Sequence, residues 1–291
     1  MQDANGIMSV QVPKDCGMEI ADEVHRNPED FLRKEASKLN LSQDKVVGMM
    51  TTADLRKAEV TSRRYEDVAL SALVTAGISF SSTAGDEIAS KYGSFRFREF
   101  GTINIIVLID GNLTESCMVD AVSTVIEAKT VALKKLDIRS RFSGDLASGM
   151  VTDSVVVACT KRGNSIKYAG TATMLGELIS KSVKESVKKA INKHENLVPS
   201  RPLTKRLEER GISIADMTTL FSQARPTLRE SAEKWSQFTE ELQQVLSDHI
   251  IGSLVIACLR LDDDAKTRLI PVDTHDNKSV VCGILQTVVA D

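Results

Sequence analysis

The sequence predicts an α/β (α+β) fold, in which helices cover a mixed β-sheet, followed by a smaller helical C-terminal part. Along the first two thirds of the chain, short apolar stretches of strand length alternate with longer amphipathic stretches of helical length. This alternation is typical of a sheet that is covered by helices. Farther on, residues 203–250 are polar and helix-rich, which indicates the smaller helical part.

Strands are predicted where apolar and β-branched residues follow one another over a short stretch. These stretches are residues 46–51, 68–75, 102–110 and 154–160. The last stretch reads Ser-Val-Val-Val-Ala-Cys-Thr and has the β-branched content of a buried strand.

Helices are predicted over residues 27–39, 114–136 and 173–193. The first begins with Asn27-Pro28 and carries Glu29 and Asp30 in its first turn, where proline and acidic side chains are favoured. The third has an apolar face made of Leu175, Leu178, Ile179, Val183, Val187 and Ile191. The pattern leaves open whether the apolar residues 250–261 form a helix or a strand.

The 291 residues are predicted to form two domains, residues 1–198 and residues 199–291. The first part holds 26 basic and 26 acidic side chains, and the second holds 11 basic and 14 acidic, so the whole net charge of −3 lies in the second. Residues 194–202, with Pro199 and Pro202, are predicted to be the linker because proline ends the preceding helix.

Composition and spacing exclude several classes of protein. A net charge of −3 and a pI of about 5.9 lack the basic excess of a nucleic-acid binder. Apolar runs such as residues 105–109 are far shorter than the ~20 residues that cross a bilayer, and residues 1–15 lack the apolar core of a signal peptide. The sequence therefore predicts a soluble cytoplasmic protein without nucleic-acid or membrane partners.

Metal and redox motifs are also missing from the sequence. No two of the five cysteines are close enough for a CxxC unit, and the four histidines show no HExxH spacing. We therefore expect no metal site. Gly144 and Gly149 have the spacing of a phosphate loop, but Met150-Val151 replaces its Lys-Ser/Thr pair. The acidic residues 262–264 are predicted to form a solvated turn.

Lys129 is the most informative residue of the predicted helix 114–136. At ~100° per residue, it falls at the centre of an apolar face made of Met118, Val122, Val125, Ile126, Ala132, Leu133 and Leu136. An isolated buried ammonium is very costly, so Lys129 must be paired, extend its head to solvent, or serve a function. Glu127 lies almost opposite, so on a regular helix the two cannot share one pocket.

Polar residues near the ends of predicted elements are further candidates. Thr152-Asp153 follows a loop rich in glycine and serine and begins a buried strand, where the carboxylate could orient a water or a lysine or simply end the loop. Asn104, inside an apolar strand, is either structural or reads a substrate amide. Thr171 precedes a helix that a threonine can cap or that can receive an anion.

Six sequence blocks in register resemble the adenosylcobinamide amidohydrolase family over about residues 25–193. They are Val-Gly-Met-Met-Thr-Thr-Ala-Asp at 47–54, Thr-Ala-Gly-Ile at 75–78 with Ala-Gly-Asp at 84–86, Gly-Thr-Ile-Asn at 101–104, Glu-Ala-Lys-Thr at 127–130, Thr-Asp at 152–153, and Tyr-Ala-Gly-Thr at 168–171 with Leu-Gly-Glu-Leu at 175–178.

The resemblance implies an enzyme of corrinoid salvage that hydrolyses the amide joining aminopropanol to adenosylcobinamide and releases adenosylcobyric acid. It implies a corrinoid small molecule as the partner, and no cofactor besides the cobalt within that substrate. Carried over by position, it puts weight on Asn104, Glu127, Lys129, Thr152 and Asp153, and next on Thr51, Asp54 and Thr171. Our hypothesis takes Lys129, Asp153 and Glu127 as catalytic, with Asp153 or Glu127 as the base for water and Lys129 as the oxyanion partner or acid. The substrate-binding residues are then Asn104, Thr152, Thr51, Asp54 and Thr171. A homo-oligomer stays open.

Two positions depart from the family pattern. Ile126 stands where the family usually has threonine, and the segment Gly149-Met150-Val151-Thr152-Asp153 stands where it usually reads Gly-Thr-Gly-Thr-Asp. Two alternatives to the hydrolase therefore stay open. One is a corrinoid-binding protein with diminished catalysis. The other is a phosphate-ester enzyme acting through the C-terminal part, where residues 210–212 and 253–271 faintly resemble a helical region of phosphatidylglycerophosphatase-A-like proteins.

Overall fold

The computed structural model describes residues 3–12, 24, 26–42, 45–88, 101–195, 202–224 and 232–266. The chain divides into two compact units, Met1–Pro199 and Ser200–Asp291. The first unit contains sheets and helices, and the described part of the second is helical. This composition confirms the predicted α/β class.

A four-stranded mixed sheet forms the centre of the first unit. Its strands are β3 (Glu59–Tyr65), β4 (Val68–Ala76), β6 (Ile103–Asp110) and β9 (Ser154–Cys159), in the order β3-β4-β6-β9. The first three run antiparallel to their neighbours, and β6 pairs with β9 in parallel. β6 is buried along nearly its whole length, which explains why its sequence is apolar without alternation.

Two long helices pack against one face of this sheet. Helix α2 (Glu115–Lys135) connects the parallel strands β6 and β9, and helix α3 (Met174–Glu195) packs on β3, β4 and α2. The core between helices and sheet includes Leu70, Ile103, Ile105, Ile109, Val125, Leu133, Ile179 and Ile191. Burying each such side chain stabilises the fold by about 1.5–3 kcal/mol.

Helix α2 has clear signals at both ends. The hydroxyl of Thr114 accepts a hydrogen bond from the amide of Cys117 at 3.2 Å and caps the first turn. After Leu136, the chain turns at Asp137, whose φ of +54° lies in the left-handed region that commonly follows a helix end. The predicted bounds of residues 114–136 therefore match the helix together with its two caps.

The buried face of α2 differs from the predicted one. Small residues, Cys117, Ala121 and Ala128, face the core, whereas Ile126 is 45% exposed. Lys129 is buried on the same face as these small residues. The prediction of Ile126 on the buried face was wrong because close packing of α2 against the sheet and α3 favours small side chains at the contact.

Three small sheets surround the central one. Strand β1 (Gly6–Gln11) pairs in parallel with β2 (Val46–Thr51), and helix α1 (Pro28–Lys38) contacts both strands. Strands β5 (Ser81–Ser82) and β8 (Gly149–Met150) join two long loops, and β7 (Asn112–Leu113) pairs with β10 (Ser165–Ile166). Because the β5–β8 pair lies in the loops before β6 and β9, it joins the segments that enter the parallel strands.

The described part of the second unit consists of four helices: α4 (Leu203–Glu208), α5 (Ile214–Ala224), α6 (Ala232–Ser247) and α7 (His249–Lys266). Its core includes Leu203, Leu207, Met217, Leu242, Leu246, Val255, Cys258 and Leu259. Residues 250–261, whose element type the sequence left open, belong to α7. The acidic residues 262–264 continue this helix, so the predicted turn was wrong, because extending a formed helix gains about one backbone hydrogen bond for each residue fixed.

Within the described residues, no single helix is long and apolar enough to cross a membrane. The segments Glu233–Ser247 and His249–Asp263 meet the length and composition criteria only as a pair, and this pair is bent by 81° at its break. The predicted linker, residues 194–202, falls mostly outside the described residues, apart from the end of α3 at Glu195 and Pro202.

Candidate functional site

A buried ion pair between α2 and the start of β9 is the centre of the candidate site. The Lys129 Nζ donates a hydrogen bond to the Asp153 Oδ2 over 2.5 Å. The two side chains are only 8% and 10% exposed. The sequence required a buried lysine to have a partner or a function, and the structure supplies Asp153 as the partner.

The Asp153 carboxylate is held by two backbone amides as well. Its Oδ1 accepts a hydrogen bond from the Ile103 amide at 2.8 Å, and its Oδ2 accepts one from the Met150 amide at 3.0 Å. With the ammonium of Lys129, three donors therefore converge on one carboxylate. This arrangement fixes the orientation of the carboxylate.

Gly149 allows the loop before β9 to cover the ion pair closely. A Cβ atom at this position would lie 2.7 Å from the Asp153 Oδ2 and 2.8 Å from the Lys129 Nζ. Any side chain would therefore collide with both charged groups. Gly149, whose spacing from Gly144 is that of a phosphate loop, instead lets the backbone pack directly against the buried Lys129–Asp153 salt bridge.

The parallel connection β6–α2–β9 explains why these residues meet. In the β6–β9 ladder Asn104 is opposite Ser154, so Asp153 lies beside the backbone of Ile103. Helix α2, which crosses between the two strands, carries Lys129 to the same end of the sheet. Three segments that are distant in sequence thus supply the donors to Asp153.

A pair of threonine hydroxyls lies next to the ion pair in sequence. The Thr152 Oγ1 is 2.7 Å from the Thr102 Oγ1. Thr102 is 4% exposed, and Thr152 is half-buried in the turn that leads to Asp153. Thr152 is therefore the member of the pair that a ligand can reach.

Asn104 lies on the face of the central sheet away from α2, and Thr51 is the last residue of β2 in the β1–β2 sheet. Side chains alternate along a strand, so Asn104 faces opposite to the core residues Ile103 and Ile105. Its Nδ2 donates to the Met50 carbonyl at 2.8 Å. The hydroxyl of the buried Thr51 accepts from the amide of Ala53 at 3.0 Å.

The row across the sheet at Asn104 contains polar atoms without partners in the described residues. Thr75 is the register partner of Asn104 on β4, and both side chains are at least 98% buried. The Thr75 Oγ1 and the Asn104 Oδ1 have no hydrogen-bond partner within the described part of the chain. Buried polar atoms are usually satisfied, so this row has free hydrogen-bonding capacity.

Asp54, Glu127 and Thr171 are predicted site residues that, within the described residues, hydrogen-bond neither to the ion pair nor to the threonine pair. The Asp54 side chain accepts from the amide and guanidinium of Arg56, which lowers the pKa of its carboxyl to about 2. Glu127 is exposed on α2, and Thr171 is exposed in the turn before α3. The opposite orientation of Glu127 and Lys129 agrees with the helical spacing.

Sequence reasoning missed Thr102 and the close packing at Gly149. Both lie inside motif blocks that were noted, but the spacing alone gave no signal for a cross-strand hydroxyl pair. For a metal, the described residues contain no group of three or more His, Cys, Asp or Glu side chains that could hold one.

Two open cavities lie elsewhere in the first unit. One, of about 440 Å³, is lined by the β3–β4 turn, residues 162–166 and the first turns of α3. The other, of about 340 Å³, lies over the ends of β6 and β9 near Asp110 and Thr160. No predicted site residue lines either cavity, so we place the candidate site at the opposite end of the sheet, around Lys129 and Asp153.

Comparison with known proteins identifies the first unit. A family model described as adenosylcobinamide amidohydrolase matches residues 1–199. The chain belongs to the adenosylcobinamide amidohydrolase family. The family match contains every predicted site residue, whereas the described helices of the second unit lie beyond it.

Two curated relatives share this similarity. The chain is 30% identical over 190 residues to an uncharacterized protein of Methanocaldococcus jannaschii. This alignment covers 60% of this chain and 74% of the relative. The chain is also 30% identical over 171 residues to an adenosylcobinamide amidohydrolase of Methanosarcina mazei. This alignment covers 56% of this chain and 74% of that protein. Both alignments are shorter than the family match to the adenosylcobinamide amidohydrolases, which spans residues 1–199.

Proposed function

We propose that this chain hydrolyses the amide bond between aminopropanol and the corrinoid in adenosylcobinamide, releasing adenosylcobyric acid. The observation that supports this most is the buried Lys129–Asp153 pair, because a desolvated ammonium of fixed orientation can stabilise the oxyanion of amide hydrolysis. The family membership and the relative named adenosylcobinamide amidohydrolase support the same reaction.

In this proposal, Lys129 hydrogen-bonds to the amide oxygen as negative charge develops there. One of its three N–H bonds is directed to Asp153, and within the described residues no further hydrogen bond of the Nζ is found, so in this proposal the other two serve the ligand. Thr152 supplies a second polar contact, and Asn104 and Thr51 contribute further contacts. No metal or organic cofactor is proposed, as the family resemblance implies, and the cobalt belongs to the substrate.

The contacts of Asp153 favour an orienting role over the role of general base. A base for water needs a lone pair within reach. The three hydrogen bonds to Asp153 use both of its oxygens, and its side chain is only 10% exposed, so little of the carboxylate is left for a water. We therefore propose that Asp153 positions Lys129. Glu127, the other predicted catalytic carboxylate, points away from Lys129.

This distribution of contacts also favours a second candidate, a corrinoid-binding protein with diminished turnover. The described cluster offers hydrogen-bond donors, but its only carboxylate already accepts three hydrogen bonds. The departures from the family pattern lie close by, since Met150 donates its amide to Asp153 and Ile126 is one turn from Thr130 on α2. Such a site can bind a polar ligand without activating water.

One experiment separates the two candidates. Purified protein is incubated with adenosylcobinamide, and adenosylcobyric acid and aminopropanol are measured by chromatography, while a visible-absorbance titration measures binding. The hydrolase predicts product with the wild type, and none with Lys129→Met or Asp153→Asn if each is folded by circular dichroism. Lys181→Met, in an exposed ion pair, is the matched control and keeps full activity. Binding without product would favour the second candidate. If the protein neither forms product nor binds adenosylcobinamide, both candidates are contradicted.

A further inference from the structure

The Thr102 hydroxyl pairs with the Thr152 hydroxyl, and their distance fits a hydrogen bond in either direction. The Thr102 side chain is 4% exposed, so its hydrogen cannot be donated to bulk water. The hydrogen-bond partner of the Thr102 Oγ1 within the described residues is the Thr152 Oγ1, at 2.7 Å. Because buried hydroxyls usually donate to an acceptor, the burial of Thr102 favours it as the donor of this pair.

The backbone around Thr102 keeps this hydroxyl in place. The carbonyl of Thr102 accepts a hydrogen bond from the Gly77 amide at 3.1 Å, just after β4. Gly101 packs so tightly on the same segment that a Cβ atom there would lie 2.3 Å from the Gly77 carbonyl oxygen. Thr102 is thus held at the end of the sheet, where its side chain reaches Thr152.

The direction of this hydrogen bond determines what Thr152 can do. When Thr102 is the donor, its hydrogen occupies one lone pair of the Thr152 oxygen, and the hydrogen of Thr152 can be donated elsewhere. Thr152 is half-buried and immediately precedes Asp153, which holds Lys129. A donor hydroxyl and a donor ammonium therefore lie at the same end of the sheet.

We propose that Thr102 is a positioning residue that makes Thr152 a hydrogen-bond donor to the oxygen of the scissile amide. This inference rests on the proposed function. Water adds to the amide carbon, the electron pair of the C=O bond moves to the oxygen, and Thr152 and Lys129 donate hydrogen bonds to it. The C–N bond then breaks, the amine takes a proton that originates from the water, and a carboxylic acid remains.

The same geometry argues against Thr152 as a nucleophile. A nucleophilic hydroxyl must pass its proton to a base as it attacks. Thr102 donates to Thr152 and so does not accept that proton. The two roles make different predictions, because a nucleophile forms a covalent ester with the substrate acid and a donor does not.

The test compares Thr102→Val, which removes the donor with little change in shape, with Thr102→Ser, which retains it. The matched control is Thr61→Val, because Thr61 is a buried threonine that pairs with the Ser186 hydroxyl at 2.8 Å on the α3 side of the sheet. Steady-state kinetics with adenosylcobinamide give kcat and KM separately, and circular dichroism verifies folding.

We expect Thr102→Val to lower kcat by about tenfold to a hundredfold, since a misdirected oxyanion donor loses part of its effect. KM stays near the wild-type value, Thr102→Ser recovers most of kcat, and Thr61→Val retains the wild-type kcat. If Thr102→Val fails to fold, Thr102→Ser against Thr102→Ala repeats the comparison.

Two results would overturn the inference alone: a wild-type kcat for a folded Thr102 variant without a hydroxyl, or a covalent substrate adduct on Thr152 detected by mass spectrometry. Absence of turnover by the wild type would overturn the proposed function, and this inference with it.

Discussion

Breaking the Lys129–Asp153 pair from either side should destabilise the first unit by unequal amounts. Asp153→Asn leaves the ammonium buried without a counter-charge, which typically costs about 3–5 kcal/mol. The asparagine side chain also has only one oxygen, which cannot accept all three hydrogen bonds that the two carboxylate oxygens accept. Lys129→Met should cost less, because Asp153 keeps its bonds from the Ile103 and Met150 amides.

The double variant Lys129→Met/Asp153→Asn tests the coupling directly. With both charges removed, neither remains buried alone, so the double variant should be less destabilised than the sum of the two single variants by about 1–3 kcal/mol. Activity does not return, because the ammonium is absent.

The assay is urea denaturation, followed by far-UV circular dichroism for the whole chain and by tryptophan fluorescence. The single tryptophan, Trp235, lies in α6, so its fluorescence reports on the second unit. The control is Lys181→Met, whose partner Glu177 is half exposed, with an expected change within about 0.5 kcal/mol. Strict additivity of the two single variants would refute the argument that the buried pair acts as a unit.

Three further predictions follow from single contacts. Gly149→Ala should destabilise the fold by about 1–3 kcal/mol through collision with the ion pair, whereas Gly170→Ala, which meets nothing within 4 Å, should be nearly neutral in the same denaturation assay. Burial raises the pKa of the Cys117 thiol to about 11, so between about pH 9 and 11 the thiol ionises only in the unfolded chain. The free energy of unfolding of the wild type should therefore fall over this range relative to that of Cys117→Ala. A difference between the two that does not change with pH would contradict this. Arg56→Ala should raise the pKa of the Asp54 carboxyl from about 2 toward its ordinary value, as measured by carbon NMR of the carboxyl.

The elements with strong periodicity were predictable from the sequence. Strand β2 has the predicted bounds, and β4, β6, β9, α2 and α3 agree within about two residues. Their apolar residues recur at strand or helix spacing, and burial in the sheet core follows from this pattern. The start of α2 was predictable as well, because Thr114 and the first turn form a local cap.

Strands that depend on distant partners were not predictable. β3 reads Glu-Val-Thr-Ser-Arg-Arg-Tyr, and only Thr61 in it is buried, so its apolar signal is weak for an edge strand. β1 becomes a strand through parallel pairing with β2, some 40 residues later in the chain. Local sequence does not encode such a partner.

The candidate site was predictable in its residue types but not in its contacts. A lysine on a mostly apolar helix face required a partner, and Asp153 was a candidate because of its position before a buried strand. The sequence could not show that Asp153 also accepts two backbone amides, which changes its proposed role from base to anchor. Nor could it show that Thr102 reaches Thr152 across 50 residues of chain.

The convergence of hydrogen-bond donors on Asp153 has a consequence for the order in which the protein folds. Met150 is three residues away along the chain, Lys129 is 24 away and Ile103 is 50 away. Contacts across longer loops cost more entropy to close, so the amide of Ile103 should join last, when β6 docks beside β9. A refolding intermediate can therefore have native helix content while its reactive centre is still unassembled, and recovery of activity should lag behind recovery of the helical signal.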